Sequence, residues 1–193
     1  MANRTISTSV PSVSQRGFVV IDTETTGLHT DARIIELGMV YLSTRGNQQK
    51  TFNTLLLGDG TTGEWSARRV HRIRTDELKG APQFKHIASD LLKSIAGRVV
   101  FAHNASFDLK RINYELKLAR LPKIPRMACT MQLGIHLGYG RLKLEKAIDE
   151  FDLFRQISHH ALHDALATAQ LLQHYISENP KGVREYLTKS GYL

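Results

Sequence analysis

Hydrophobic positions along this chain repeat with two periods, and the switch between them divides it into strands and helices. Phe18 to Ile21 is a β-branched and aromatic run of the kind a buried central strand requires. Arg33 to Leu42, with Ile34, Ile35, Leu37, Met39, Val40 and Leu42, predicts a second strand. Gln48 to Leu57 predicts a third, after a Gly46-Asn47 turn. Connections this short imply an antiparallel meander. Asp76 to Lys79 predicts a short helix closed by Gly80 and Pro82. Helical spacing then governs Phe84, Ile87, Ala88, Leu91, Leu92 and Ile95, and Gly97 stops it. A fourth strand is expected at Arg98 to Ala102, followed by a helix capped by Asn104 or Ser106 and running to Ala119. Leu121 to Pro125 is a loop into a short strand around Met127, and further helices are expected over 130–137, 142–151, 161–176 and 181–189. A meander followed by β/α units predicts an α/β fold, one mixed sheet covered by helices on both faces.

At 193 residues the chain is most economically one domain, 17–193, preceded by a flexible N-terminal tail at 1–16. After Tyr175 the sequence continues only through Ser177 to Leu193, so no second domain is expected within it. The tail lacks the apolar core of a secretory signal, and no apolar run approaches the roughly 20 residues of a membrane helix. A single cysteine, Cys129, excludes an internal disulfide and fits a reducing cytoplasm, with a small buried role expected for it. Twenty-six Lys and Arg against 18 Asp and Glu give a net charge of +8, which favours a polyanionic partner, nucleic acid above others. The densest basic run is Arg68-Arg69-Val70-His71-Arg72-Ile73-Arg74.

Against that basic background the acids cluster. Asp22 and Glu24 follow the first strand, and strand alternation sends both to one face while Thr23 points away. Two carboxylates so placed repel unless a cation lies between them, and a hard divalent ion such as Mg²⁺ suits oxygen donors. Asp108 falls early on the helix after the fourth strand. Asp164 falls one position before the apolar stripe Ala165, Ala169, Leu172 and Ile176, beside His159, His160 and His163. The three histidines raise a zinc alternative, but His-His-Asp lacks obvious third and fourth ligands. Phosphodiester hydrolysis accounts for the set better. Two divalent ions about 3.5–4 Å apart stabilise attacking and leaving oxygens, four carboxylates offset them, and a neutral histidine accepts the proton of water. Helical spacing alone allows either His159 or His160.

Asp22-Thr23-Glu24-Thr25-Thr26-Gly27-Leu28, His103-Asn104-Ala105-Ser106-Phe107-Asp108 and His159-x₄-Asp164-Ala165 together resemble the three motifs of the DEDDh, or DnaQ-like, 3′→5′ exonucleases. That family includes the proofreading subunits and domains of bacterial replicative polymerases. The match spans about Phe18 to Tyr175 with the motifs in the family's order. Val70 to Arg74, then Ala81 to Phe84, resembles the family's His-Gly-Ile segment and its trailing Pro-x-Phe, with Arg72 where glycine is frequent.

The resemblance implies an RNase H-like fold with a five-stranded mixed sheet. It implies that Asp22, Glu24 and Asp164 hold one Mg²⁺ or Mn²⁺, that Asp22 bridges to a second ion which Asp108 reaches through water, and that His159 is the general base. Thr26 and Gly27 would offer backbone N–H groups to the 3′ end, Leu28 would wedge against the last base, and His71 and Ile73 would line the other side. Asn104, in the plain reading a helix cap, joins these substrate contacts, while Phe107 is expected in the core. The expected substrate is a single-stranded 3′ end, DNA favoured over RNA, which would release nucleoside 5′-monophosphates. A polymerase, clamp or repair complex is a possible partner. The alternatives are an exoribonuclease and, in another class, a non-catalytic nucleic-acid-binding subunit.

Overall fold

Strand β1 (Phe18–Thr25) sends alternate side chains into two cores, and that alternation sets the layers of the molecule. The computed structural model describes residues 16–154 and 159–193; the expected N-terminal tail lies, apart from Arg16, outside the described residues. The strands that follow are β2 (Ile34–Leu42), β3 (Gln48–Leu55), β4 (Val99–Ala102) and β5 (Ala128–Cys129). The helices are α1 (Trp65–His71), α2 (Phe84–Ile95), α3 (Ala105–Leu118), α4 (Thr130–His136), α5 (Leu144–Glu150), α6 (Ala161–Glu178) and α7 (Pro180–Lys189).

The strand order is β3-β2-β1-β4-β5, antiparallel from β3 to β1 and parallel from β1 to β5, so the meander and the mixed sheet both form. Val19 and Ile21 point to α2 and α3, where Phe84, Ala88, Leu91, Ile112 and Leu116 pack. Phe18 and Val20 point to α6 and α7, among Ala165, Ala169, Leu172, Val183 and Leu187. Strand β2 is buried along its whole length, which is why its sequence is an almost unbroken apolar run. Strand β3, at the sheet's edge, is exposed until its last two residues.

Two expected elements differ. Residues 76–79 form turns rather than a helix; the Arg74 guanidinium grips the Asp76 carboxylate and its amide donates to Glu77, which closes the chain locally. Strand β3 ends at Leu55 instead of Leu57, because the Leu57 amide leaves the sheet to donate to the Pro82 carbonyl. One element was not expected: α1 lies inside the basic run and just before it.

Candidate active site

Past Ile21, strand β1 keeps its alternation but changes chemistry. Asp22 and Glu24 face α6, and Thr23 faces α3. The pairing of β1 with β4 covers Phe18 to Val20, and the acids follow where the chain of β4 turns away into α3. Asp164, in the first turn of α6, is delivered to the same place: one carboxylate oxygen from each of Asp22, Glu24 and Asp164 lies within 4.8 Å of the others. Among the described residues this is the sole group of three or more potential metal ligands so close together. No histidine joins it, so the zinc alternative finds no counterpart there. An all-carboxylate donor set fits a hard divalent cation.

The approach of α6 depends on Gly38. It pairs directly with Asp22 across the β1–β2 ladder, and a Cβ there would collide with the backbone of Ala161 and Leu162. Gly38→Ala is therefore expected to lift the first turn of α6 and Asp164 with it. Overpacking of this kind costs about 1–3 kcal/mol; thermal melts should show that loss, and turnover measured alongside should fall more than stability alone explains.

Asp108 reaches β1 from the opposite face. It is 4% exposed, in the first turn of α3, and accepts a 2.8 Å hydrogen bond from Thr23 Oγ1. Asp22 and Glu24 are strained first by burial and then by the acids around them. Burial, then Asp108, Glu24, Asp164 and Glu36, hold Asp22 well above the usual carboxylate range. Burial, Asp164, Glu36 and Asp108 push Glu24 up to about 9. Burial raises Asp108 to about 7 despite the hydrogen bond from Thr23. The strain is relieved by protonation or by a bound cation.

Glu36 is a fifth acid that the sequence concealed inside an apolar strand. It pairs with Glu24 in the ladder, is 2% exposed, and accepts hydrogen bonds from Asn53 Nδ2 (3.0 Å) and from the Ala161 amide (3.0 Å) at the start of α6. His160 Nδ1 lies 3.6 Å from the same carboxylate, and its ring meets His163 edge to face. His159 stands two residues ahead of α6 and is half-buried.

Beside the acids lies a pocket of about 290 Å³, walled by Glu24, Gly27, Leu28, Val70, His71 and Phe107 among others. Leu28 is 80% exposed, yet its backbone is held: Arg111, buried on α3, donates to the carbonyls of Leu28 (2.7 Å) and His29. Phe107 is half-buried on the pocket wall, 4.9 Å from the Arg111 guanidinium, and not in the core as expected, because α3 turns that face toward the site.

The other expected contacts divide. The Thr26 amide already donates to the Arg33 carbonyl (2.9 Å), and the Arg33 amide returns a bond to Thr26 Oγ1 (2.9 Å), so Thr26 shapes the turn instead of offering its N–H. His71 lines the pocket with both ring nitrogens engaged: the Ile73 amide donates to Nδ1 (3.0 Å), and Nε2 lies 3.2 Å from the Thr62 carbonyl. Burial holds its pKa down, which favours this neutral form. Ile73 turns away into a small core with Ile35 and Leu78. Asn104 occupies the cap position of α3 without a side-chain capping bond, and its exposed side chain lines a different depression, with Arg126 and Arg141. Arg72 adopts φ 57°, the left-handed conformation glycine favours, so the loop is as tight as the family's glycine implies.

Comparison with known proteins agrees with this geometry. The exonuclease family model matches residues 19–172. The DNA polymerase III subunit epsilon of Treponema pallidum is 32% identical over 170 residues, covering 85% of this chain and 78% of the relative. That of Rickettsia prowazekii is 35% identical over 114 residues, 58% of this chain and 49% of the relative. Among solved structures, exonuclease X in complex with 5′ overhanging duplex DNA superposes with a TM-score of 0.66 at 27% identity, over 84% of this chain and 93% of the other. Exonuclease I, at 14% identity, shares the RNase H-like fold with a TM-score of 0.78, over 89% of this chain and 43% of its own. No helix among the described residues is long and apolar enough to cross a membrane. The chain belongs to the exonuclease family and is a DnaQ-like, epsilon-type 3′→5′ exonuclease, a divalent-metal-dependent enzyme acting on nucleic acid.

Proposed function

We propose that this chain shortens DNA from its 3′ end, releasing nucleoside 5′-monophosphates, with two Mg²⁺ or Mn²⁺ ions at the carboxylate cluster. The observation that carries the reading is the convergence of Asp22, Glu24 and Asp164 beside a pocket edged by the exposed Leu28. Asp22, Glu24 and Asp164 would hold one ion, and Asp108 with Asp22 would serve the other. Ions held there would supply charge neutralisation at the scissile phosphate, an acidified water and stabilisation of the leaving 3′-oxygen.

The chain's own groups do the remaining work. Leu28, on a backbone clamped by Arg111, packs against the terminal base while Phe107 and the His71 ring close the pocket. Gly27 brings the backbone close to the nucleotide. His159 accepts the proton of the attacking water; the engagement of His160 with Glu36 supports His159 for that role. DNA as the polymer, and association with a polymerase, draw support from the epsilon subunits and the exonuclease X–DNA complex among the similar proteins.

The test is a 5′-labelled gel assay with Mg²⁺ or Mn²⁺, run on single-stranded DNA, duplex DNA with a mispaired 3′ end, and single-stranded RNA. A ladder receding from the DNA 3′ end is expected, lost in Asp164→Ala and upon chelation. Preferential degradation of RNA would overturn the choice of DNA.

A further inference from the structure

We infer that the depression beside Asn104 is a subsite for a backbone phosphate of the cleaved strand, 5′ to the scissile bond, and that Arg141 is the residue that grips it. The inference rests on the nucleic-acid reading above. Three consecutive residues of α3 place the depression: Ser106 lines it, Phe107 lines the nucleotide pocket, and Asp108 accepts its bond from Thr23. Strands β1, β4 and β5 run parallel, so their C-terminal ends emerge along one edge of the sheet. The pocket and the acids stand at the end of β1, and the depression stands at the end of β5, lined there by Cys129. Two strand spacings separate them, about 10 Å. That is within reach of a nucleotide upstream of the scissile phosphate.

The depression, of about 330 Å³, is lined by two arginines and no acid, with Asn104, Ser106 and Gln132 as further donors. Arg126 is already committed: it donates to the Ser190 carbonyl (3.1 Å) and lies 4.9 Å from the Tyr192 ring centroid. Arg141 is exposed and has no hydrogen bond or ion pair among the described residues. Its backbone is nevertheless anchored through its neighbour. His103 Nε2 lies 3.1 Å from the Leu142 carbonyl, which can only accept, so Nε2 carries the proton and Nδ1 accepts from the Thr130 hydroxyl at 3.0 Å. The segment bearing Arg141 is thereby tied to the end of β4, next to Asn104. A guanidinium on a fixed backbone suits a phosphate, which it meets through two parallel N–H···O bonds. An acidic protein segment would find the same charges, but a phosphodiester is delivered to this edge of the sheet by the substrate itself.

The full chain with Mg²⁺ is assayed on a single-stranded thymidine dodecamer, and on dodecamers carrying one uncharged methylphosphonate at successive linkages 5′ to the scissile bond. Two further substrates are the dodecamer annealed to a complement and the p-nitrophenyl ester of thymidine 5′-monophosphate, which has no upstream phosphate. Arg141→Gln should raise KM for the dodecamer roughly tenfold, the size of one charge-assisted contact, and act little on kcat or on the ester. It should also flatten the salt dependence of dodecamer binding by roughly 0.7 in slope, one phosphate's share on a single strand. Arg141→Lys, which keeps the charge, should restore that slope and most of the affinity. One methylphosphonate position should cost the parent about what Arg141→Gln costs, and cost the variant little more. A KM and salt slope unmoved by Arg141→Gln would overturn the subsite, as would a variant that responds to every methylphosphonate as the parent does. A matching fall on the ester would move the effect to the reacting centre and overturn it too. An effect confined to the annealed substrate would give Arg141 to the complementary strand, against the inference. Failure of the parent chain to cleave any of these substrates would overturn the nuclease reading itself and the subsite with it.

Discussion

Asp22→Asn is expected to abolish 3′→5′ exonuclease turnover and, without divalent cations at pH 8, to melt at a higher temperature than the parent chain. The two effects share one cause. Asp22 is buried, faces Glu24 and Asp164 on one side of β1 and feels Asp108 from the other, so burial first and these acids second hold its folded-state pKa well above the usual carboxylate range. A carboxylate whose pKa is raised by folding destabilises the folded state wherever the unfolded chain would be ionised. Asparagine keeps the shape and removes the charge, so the metal-free fold loses repulsion. The same change removes a ligand, and the loss of activity should exceed the roughly 10–100-fold that supporting residues around metal sites are worth. Gel assays read the first effect and thermal melts with EDTA the second. A lower melting temperature for the variant would refute the account of mutual repulsion.

The second expected result is a metal-dependent reversal in the pH profile of stability. Glu24 is raised from 4.5 to about 9 and Asp108 from 3.8 to about 7, so the folded chain holds protons that the unfolded chain has released. Stability of the metal-free protein should therefore be greatest near and below pH 4 as far as these groups are concerned. It should decline as pH rises, through about 7 for Asp108 and about 9 for Glu24. In a domain of this size each kcal/mol moves the melting point by about 2–4 °C. Mg²⁺ or Mn²⁺, if held at the ionised cluster as proposed, should raise the melting point far more at pH 8 than at pH 5. Equal shifts at both pH values would show that the ion stabilises through some other site.

Much of this was legible because one signal, the alternation along β1, ran unbroken from Phe18 through Glu24. The same rule that buries Val20 against α6 also turns Asp22 and Glu24 toward it. The stripe Ala165, Ala169, Leu172 likewise fixed which edge of α6 carries Asp164. Helix α1 gave no such signal: of Trp65-Ser66-Ala67-Arg68-Arg69-Val70-His71, only His71 is fully buried, so no apolar period exists to find. Glu36 hid in a run of buried neighbours because its partner, the Ala161 amide, is 125 residues away. Phe107 misled for a related reason: an aromatic on a helix after a strand is usually core, and here the neighbouring surface is the pocket wall. Arg72 stands where the family frequently has glycine, and its φ of 57° shows a turn that keeps the left-handed geometry with a side chain present.

The crowded carboxylates carry a warning for anyone who would improve this enzyme. A library screened for heat resistance in chelating buffer would reward each variant that discards Asp22, Glu24 or Asp108, since every loss relaxes the resting fold. The hardiest survivors would be inert. Selection with Mn²⁺ in the buffer inverts the incentive, making the most robust clones those that still grip the ion, and turning a conflict between endurance and chemistry into a shared requirement.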